Sequence, residues 1–250
     1  MPASKNELKA KLASGQRCVG CWLALADAYS AEIAASTGFD WLLIDGEHAP
    51  NDFRSILRQL QVMGQSAPVV RLPDGDQTKI KQALDLGAQT LLIPVVESAE
   101  QASGLVDAVR YPPVGKRGVG AALARASGFG SIKDYVATAD AQICLIVQVE
   151  TRKGLTALDD ILAVEGVDGV FIGPADLAAD MGLNPTDEKA KASVMDAISR
   201  IAASEKFAGV FSNSQPYLRD ADAAGATFLG VGADVTILAE GLRERAASWR

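Results

Sequence analysis

The sequence predicts an α/β protein, a (β/α)₈ TIM barrel, with one domain running from residue 1 to residue 250. Three observations carry that prediction. Eight strand-length apolar runs recur along the chain, helix-like segments separate them, and the runs lack strict polar alternation. Such runs belong to parallel strands covered on both faces. Eight β-then-α units in 250 residues suit a closed barrel better than an open sheet.

In order, the runs are CVGCWLAL (18–25), WLLID (41–45), APVVRL (67–72), TLLIPVV (90–96), ICLIVQVE (143–150), GVFIG (169–173), AGVFS (208–212) and FLGVG (228–232). The first holds Cys18 and Cys21, a C-x-x-C spacing that suits zinc or redox chemistry. On a strand, however, residues three apart point to opposite faces, and no second pair completes a metal set. Packing cysteines are expected. No G-x-G-x-x-G follows this run, which argues against a dinucleotide-binding sheet.

Between the runs lie SAEIAAS (30–36), NDFRSILRQLQVM (51–63), DQTKIKQALDLG (76–87), SAEQASGLVDAVR (98–110) and TALDDILAV (156–164). A long segment from Thr186 to Ser204 and a last helix from about Asp234 complete the series. Asn51 and Ser98 suit N-caps, while Gly38 and Gly87 follow helix ends. The exception is the glycine-rich stretch 112–130, with Lys116, Arg117 and Arg125. So long an insertion reads as a lid or substrate loop. Arg117 and Arg125 read as solvated loop cations, with a second substrate carboxylate as the other option.

Composition excludes several classes. Apolar residues make up 48% and charged ones 22%, ordinary for a soluble domain. The net charge is -7 and no basic stripe forms, so no nucleic acid is expected as a partner. No run approaches the roughly 20 residues of a membrane span. The polar start, MPASKNELKAKLASG, lacks the apolar core of a signal peptide, so a cytoplasmic location is expected.

In a barrel, chemistry sits at the carboxyl ends of the strands. There the second run passes into Asp45-Gly46-Glu47-His48, which contains the chain's only histidine. The third ends near Arg71, the fifth at Gln148 and Glu150, and the sixth leads through Gly173 and Pro174 to Asp176. The strand starts offer only Lys206 and Gln142. Glu150 and Asp176, on adjacent strands, suit a shared hard divalent cation; solvated loop acids are the alternative. Gln148 lies on the same side as Glu150 and suits a ligand or water.

Arg71 is either an exposed strand-end cation or a planar fork for a carboxylate or a carbonyl oxygen gaining charge. Asp45 and His48 suit an orienter and a base, against a structural histidine. No lysine lies on a strand, so a Schiff-base mechanism lacks its nucleophile. A cation and an arginine at one oxygen would stabilise an enolate. That chemistry fits carbon–carbon cleavage beside a 2-oxo acid, with metal-assisted hydrolysis as the alternative.

Five stretches, FDWLLIDGEHAPND, PVVR, RYPPVGKRGVG, QVETRKG and VEGVDGVFIGPADLAADMG, resemble the HpcH/HpaI aldolase family, especially its 4-hydroxy-2-oxoheptanedioate aldolases. The resemblance spans nearly the whole chain. It implies a class II metal-dependent aldolase that reversibly cleaves 4-hydroxy-2-oxo acids to an aldehyde and pyruvate, or a close 2-oxo acid such as hydroxypyruvate. Catabolism of aromatic compounds or sugar acids is the implied setting. A (β/α)₈ barrel is implied too, assembled as a hexamer (a trimer of dimers) in which dimers swap their last helix.

Carried over by position, Glu150 and Asp176 would bind Mg²⁺, Mn²⁺ or Co²⁺, which pyruvate would chelate. Arg71 would contact the keto oxygen, and His48 with Asp45 would form an acid/base dyad acting through a metal-bound water. The N–H groups of Ala175 and Asp176 would hold the pyruvate carboxylate. Asp85, by itself a helix-surface acid, would reach in from a neighbouring subunit. Gln148 and Glu47 would support the ligands. Trp22 and Phe211 either line the aldehyde pocket or are ordinary core.

Two rivals remain. A citryl- or malyl-CoA-type lyase would want further basic or C-terminal elements for its nucleotide. A non-catalytic 2-oxo acid binding protein would not need the His48–Asp45 pair.

Overall fold

The computed structural model describes all 250 residues. Its strands are β1 (Cys18–Leu23), β2 (Trp41–Asp45), β3 (Ala67–Arg71), β4 (Thr90–Ile93), β5 (Cys144–Val149), β6 (Gly169–Ile172), β7 (Phe207–Phe211) and β8 (Ala226–Ala233). They form a closed barrel in chain order, with β8 parallel to β1. Each expected run is a strand, but several stop early at the carboxyl end. At β4 the cause is local: Pro94 has no N–H for the ladder, and Val95 takes a left-handed φ of 54°.

The helices are α1 (Glu7–Ala13), α2 (Ala28–Ala35), α3 (Phe53–Leu60), α4 (Gln77–Asp85), α5 (Ala99–Val109), α6 (Tyr135–Ala139), α7 (Arg152–Thr156), α8 (Leu158–Leu162), α9 (Pro174–Asp180), α10 (Glu188–Ala202), α11 (Gln215–Ala223) and α12 (Asp234–Ala247). The segment 156–164 holds α8, and its first residue, Thr156, ends α7. Five helices lack a sequence expectation: α1, α6, α9, α11 and, but for its last residue, α7. Two of these, α9 and α11, open with proline in the first turn, where the missing N–H costs nothing. The N-cap of α3 is Asp52 rather than Asn51. Asp52 accepts from Ser55 N–H at 2.7 Å while Ser55 Oγ accepts from Asp52 N–H at 2.9 Å, a capping box.

Side chains alternate across each strand, so every strand contributes to two cores. The outward set meets the helices in a core of 42 buried residues. The inward set fills the lumen with Trp22, Trp41, Leu43, Ile146, Phe171 and Phe228 among others, and Leu8 and Leu12 of α1 close it from below. Trp41 is fully buried, stacks on Phe228 at 4.0 Å between centroids, and donates Nε1–H to the Cys18 carbonyl at 3.2 Å. Its register partner is Gly20. A Cβ at that position would stand 2.1 Å from the indole, so only glycine fits.

The two cysteines of β1 divide as expected, Cys18 into the lumen and Cys21 into the outer core. Burial pushes both thiols up to about 11, far from the thiolate that redox or zinc chemistry needs. At the other end of the chain, α12 buries none of its residues, and Ile237, Leu238 and Leu242 stand exposed. No helix is long and apolar enough to cross a membrane.

Emptying the lumen should be costly. Trp41→Ala is expected to destabilise the fold by about 3–5 kcal/mol, read as a lower urea midpoint. An unchanged midpoint would show that the lumen aromatics do not support the barrel.

Candidate functional site

Alternation that fills the lumen also delivers the polar groups. On β2 the inward series is Trp41, Leu43, Asp45; on β3 it ends Val69, Arg71; on β5 it runs Cys144, Ile146, Gln148. The first inward position above the apolar layer is therefore polar on three strands. Asp45 and Arg71 are register partners, so their side chains meet.

They meet as a two-pronged ion pair. Arg71 Nε–H donates to Asp45 Oδ1 at 2.9 Å and Nη2–H to Oδ2 at 2.7 Å. Arg71 Nη1 lies 2.9 Å from Glu47 Oε2 but is not aligned for a hydrogen bond. The guanidinium also stands 5.9 Å from the Trp22 ring centroid. With side chains 9% and 4% exposed, Arg71 and Asp45 are both buried, and Arg71 is no free strand-end cation. Burial by itself pushes the Asp45 carboxyl up. The Arg71 fork and the Glu47 and His48 N–H groups outweigh it, and the net shift is downward. Glu47 goes the other way, raised chiefly by burial, with Arg71 opposing.

The expected Asp45–His48 dyad is not a direct contact. Asp45 Oδ1 accepts from the backbone N–H groups of Glu47 at 3.0 Å and His48 at 3.3 Å, and both its oxygens serve Arg71. Asp45 thus shapes the turn that carries His48 and leaves the imidazole alone. The carboxylate in contact with the ring is Glu47, whose Oε2 lies 3.8 Å from Nε2 of a side chain 66% exposed. The turn is braced from below by Asn51, whose Nδ2–H donates to the Asp45 carbonyl at 2.8 Å.

On the other side of the rim, Glu150 follows β5 and is buried. Its Oε1 accepts the Val95 N–H at 2.9 Å and its Oε2 accepts Gln148 Nε2–H. A Cβ at Gly173 would sit 2.7 Å from Glu150 Oε2, so the residue after the sixth strand has to be glycine for this carboxylate to fit. Burial, then the charges of Asp176 and Glu47, raise Glu150 against the two hydrogen bonds it accepts. Asp176 is exposed on the first turn of α9. Gly173 supplies no side-chain cap there, so the N–H groups of Ala175 and Asp176 lack an intrahelical acceptor.

This environment suits a cation. Acidic neighbours help to raise Glu150, the nearby side-chain donors are hard oxygens, and the buried Gln148 Oε1 has no hydrogen-bond partner. No group of three or more His, Cys, Asp or Glu side chains is arranged around one point, so no more than two side chains of these types could share an ion.

Trp22 is buried in the lumen, 4.9 Å from the Phe211 ring centroid. Phe211 is partly buried and borders a cavity of 410 Å³ shared with Ala175, Asn213 and Tyr217. Asp85 is the last residue of α4, a helix that returns from the rim, so within its own chain it lies away from this site. Arg117 is not a solvated loop cation, as expected from sequence, but a fully buried one. Its Nη2–H donates to Asp85 Oδ1 at 2.8 Å and its guanidinium lies 4.3 Å from the Tyr111 ring centroid, while Nε and Nη1 are buried without a hydrogen-bond partner. Arg125 likewise turns inward, donating to the Leu86 carbonyl at 2.8 Å. Sequence reasoning missed the Val95 N–H altogether. It named Asn51 only as an N-cap and Gly173 only as the glycine between an apolar run and Pro174, without the roles found here.

Comparison with known proteins places this geometry. The family model described as "HpcH/HpaI aldolase/citrate lyase" matches residues 18–240. The chain is 57% identical to a hydroxypyruvate/pyruvate aldolase of Roseovarius nubinhibens, over 100% of this chain and 99% of that protein. It is 50% identical to a 4-hydroxy-2-oxo-heptane-1,7-dioate aldolase of Salmonella paratyphi C, over 97% and 94%. Among solved structures, an HpcH/HpaI aldolase/citrate lyase family protein from Burkholderia cenocepacia superposes with a TM-score of 0.94 at 36% identity, covering 98% of this chain and 100% of that one.

The ion pair fixes a pH dependence. Because the Asp45 carboxyl is lowered on folding, its stabilisation is present above the unfolded value, about 3.9. That stabilisation is lost as pH falls through the lower folded value. Asp45→Asn should therefore be less stable than wild type at neutral pH, by about 3–5 kcal/mol for a broken buried pair. The gap should narrow below about pH 4. Urea denaturation across that range checks it; a gap that does not change with pH would assign the titration elsewhere.

Proposed function

We propose a function for a chain that belongs to the HpcH/HpaI aldolase/citrate lyase family: it is an aldolase that reversibly cleaves 4-hydroxy-2-oxo acids to an aldehyde and pyruvate, or hydroxypyruvate. One domain over residues 1–250 carries the activity, in the cytoplasm. The observation that carries this reading is the buried Arg71 fork on the same rim as Glu150 and Asp176.

Glu150 and Asp176 would hold the divalent ion, Mg²⁺, Mn²⁺ or Co²⁺. Such an ion, when bound, supplies Lewis-acid polarisation to the oxygens of a 2-oxo acid. The first-turn N–H groups of Ala175 and Asp176 receive the substrate carboxylate, and Gln148 orients its neighbour. Arg71 addresses the keto oxygen, where negative charge develops as the enolate forms. Because Asp45 already fixes the guanidinium, that charge meets a donor needing no reorganisation.

In the cleavage direction His48 takes the proton of the C4 hydroxyl and the C3–C4 bond breaks. The electron pair stays with the three-carbon fragment, and a proton delivered to C3 completes pyruvate. Glu47 stands beside the ring, its Oε2 3.8 Å from Nε2. No strand carries a lysine, so no amine is placed to form a Schiff base within the barrel. Trp22 and Phe211 form the wall on the aldehyde side.

The assembly follows the same reading. The uncovered apolar residues of α12 support an oligomer that covers them, a hexamer built from dimers exchanging this helix. Asp85, held by Arg117 away from its own rim, then serves a neighbouring subunit's site.

Pyruvate release from a panel of 4-hydroxy-2-oxo acids tests the activity. EDTA should abolish release and Mn²⁺ restore it; full activity in EDTA would remove the cation from the reading. Arg71→Ala should lose about 2.7–4 kcal/mol in the chemical step, as for an oxyanion donor, while His48→Ala should lose rate and keep its Mn²⁺ affinity. Failure to make a new carbon–carbon bond from pyruvate and any aldehyde would leave a binding protein. Light scattering on the eluting protein should give six chains per particle, and a monomer would end the proposed role of Asp85.

A further inference from the structure

We propose that Gln101 is a positioning residue for the cation site: through the β4–α5 turn it holds the Val95 N–H against Glu150 and so sets the affinity for a divalent ion. The inference rests on the reading of Glu150 as a ligand given above. It starts from a residue in the wrong conformation. Val95 has a φ of 54° and is about half exposed, at 46%. A β-branched residue rarely takes that conformation, so something around it must impose it.

Gln101 supplies the constraint from the first turn of α5. Its Nε2–H donates to the Val95 carbonyl at 2.9 Å, and its Oε1 accepts the Glu97 N–H at 2.9 Å. One side-chain amide thereby closes the turn from both ends. The purpose of the left-handed residue is visible on its other side, where its N–H donates to Glu150 Oε1 at 2.9 Å. Further bonds tie the same turn to both flanks of Glu150. Val96 N–H donates to the Gln148 carbonyl at 2.9 Å, and Glu97 accepts from Thr151 Oγ1 at 2.9 Å and Lys153 Nζ at 3.0 Å.

With Gln148 on Oε2, Val95 on Oε1 and Gly173 behind it, the Glu150 carboxylate has its orientation fixed. Release of the Val95 carbonyl would let that residue relax to negative φ. The rotation would swing the peptide between Pro94 and Val95 and carry the N–H off Glu150. Partners of a ligating carboxylate are worth about 10–100-fold in metal affinity, and Gln101 controls this one from a distance.

The test uses Gln101→Glu. The new carboxylate still accepts the Glu97 N–H, but it places an oxygen against the Val95 carbonyl where a donor stood. An acid in the first turn of a helix is favourable, so the thermal midpoint should not fall. Titration of the full-length, metal-free protein with Mn²⁺, followed by the EPR signal of the free ion, should show binding weakened by about 10–100-fold. The kcat at saturating Mn²⁺ should stay near wild type. Val95→Gly, which takes positive φ without strain, should bind Mn²⁺ like wild type. Placed in the Gln101→Glu background, it should recover part of the lost affinity. Wild-type affinity in Gln101→Glu, or no recovery by glycine, overturns the inference alone. No Mn²⁺ uptake by the wild type overturns the Glu150 reading and this inference with it.

Discussion

The guanidinium of Arg71, buried and gripped by Asp45 from the neighbouring strand, is the interaction on which the rim depends. A buried charge is tolerated only where its donors are matched, and here β2 and β3 match them through register alone. Asp45 faces Arg71 because Leu43 faces Val69 two residues below, inside the lumen. A slip of one residue on either strand would turn the acid outward and leave the arginine unpaired. The apolar layer and the polar layer above it are thus specified together, and the same pair gives the Glu47–His48 turn its shape.

The acids of the rim are not equivalent. Asp45 is lowered by a cation that the chain supplies, whereas Glu47 and Glu150 are raised by burial and by their acidic neighbours. One guanidinium cannot neutralise all of them. The surplus lies on the β5–β6 side, where Glu150 is walled by Gly173 and Gln148 Oε1 has no partner. Positive charge is provided on one half of the mouth and required on the other, an asymmetry suited to holding a small dianionic or chelating substrate between them.

The barrel was legible because strands buried on both faces write their periodicity as uninterrupted apolar runs, and all eight runs are strands. Helices were legible where they show a broad apolar stripe. KNELKAKLA conceals α1, since only Leu8 and Leu12 enter the core, and QPYLRDADA conceals α11 behind a proline. Most rim residues could be placed from sequence because strand ends in a barrel share one face. Their pairings could not. Which side chain Asp45 touches depends on register and rotamer, and it chooses Arg71 over His48. Arg117 reads as a loop cation because sequence does not reveal that Tyr111 lies beneath it. The Val95 N–H left no trace, as backbone donors carry no letter of their own.

A last consequence concerns traffic. Trp41 and Phe228 occlude the barrel axis, and Leu8 and Leu12 stop its lower end, so the mouth is both entrance and exit. For a reaction that divides one molecule in two, a blind-ended vessel imposes a queue. In the proposed reading, a fragment seated at the floor beside Arg71 and Glu150 would not depart past one nearer the opening. Under the function proposed above, the aldehyde would leave first and pyruvate second, and in the synthetic direction the order of arrival would be reversed.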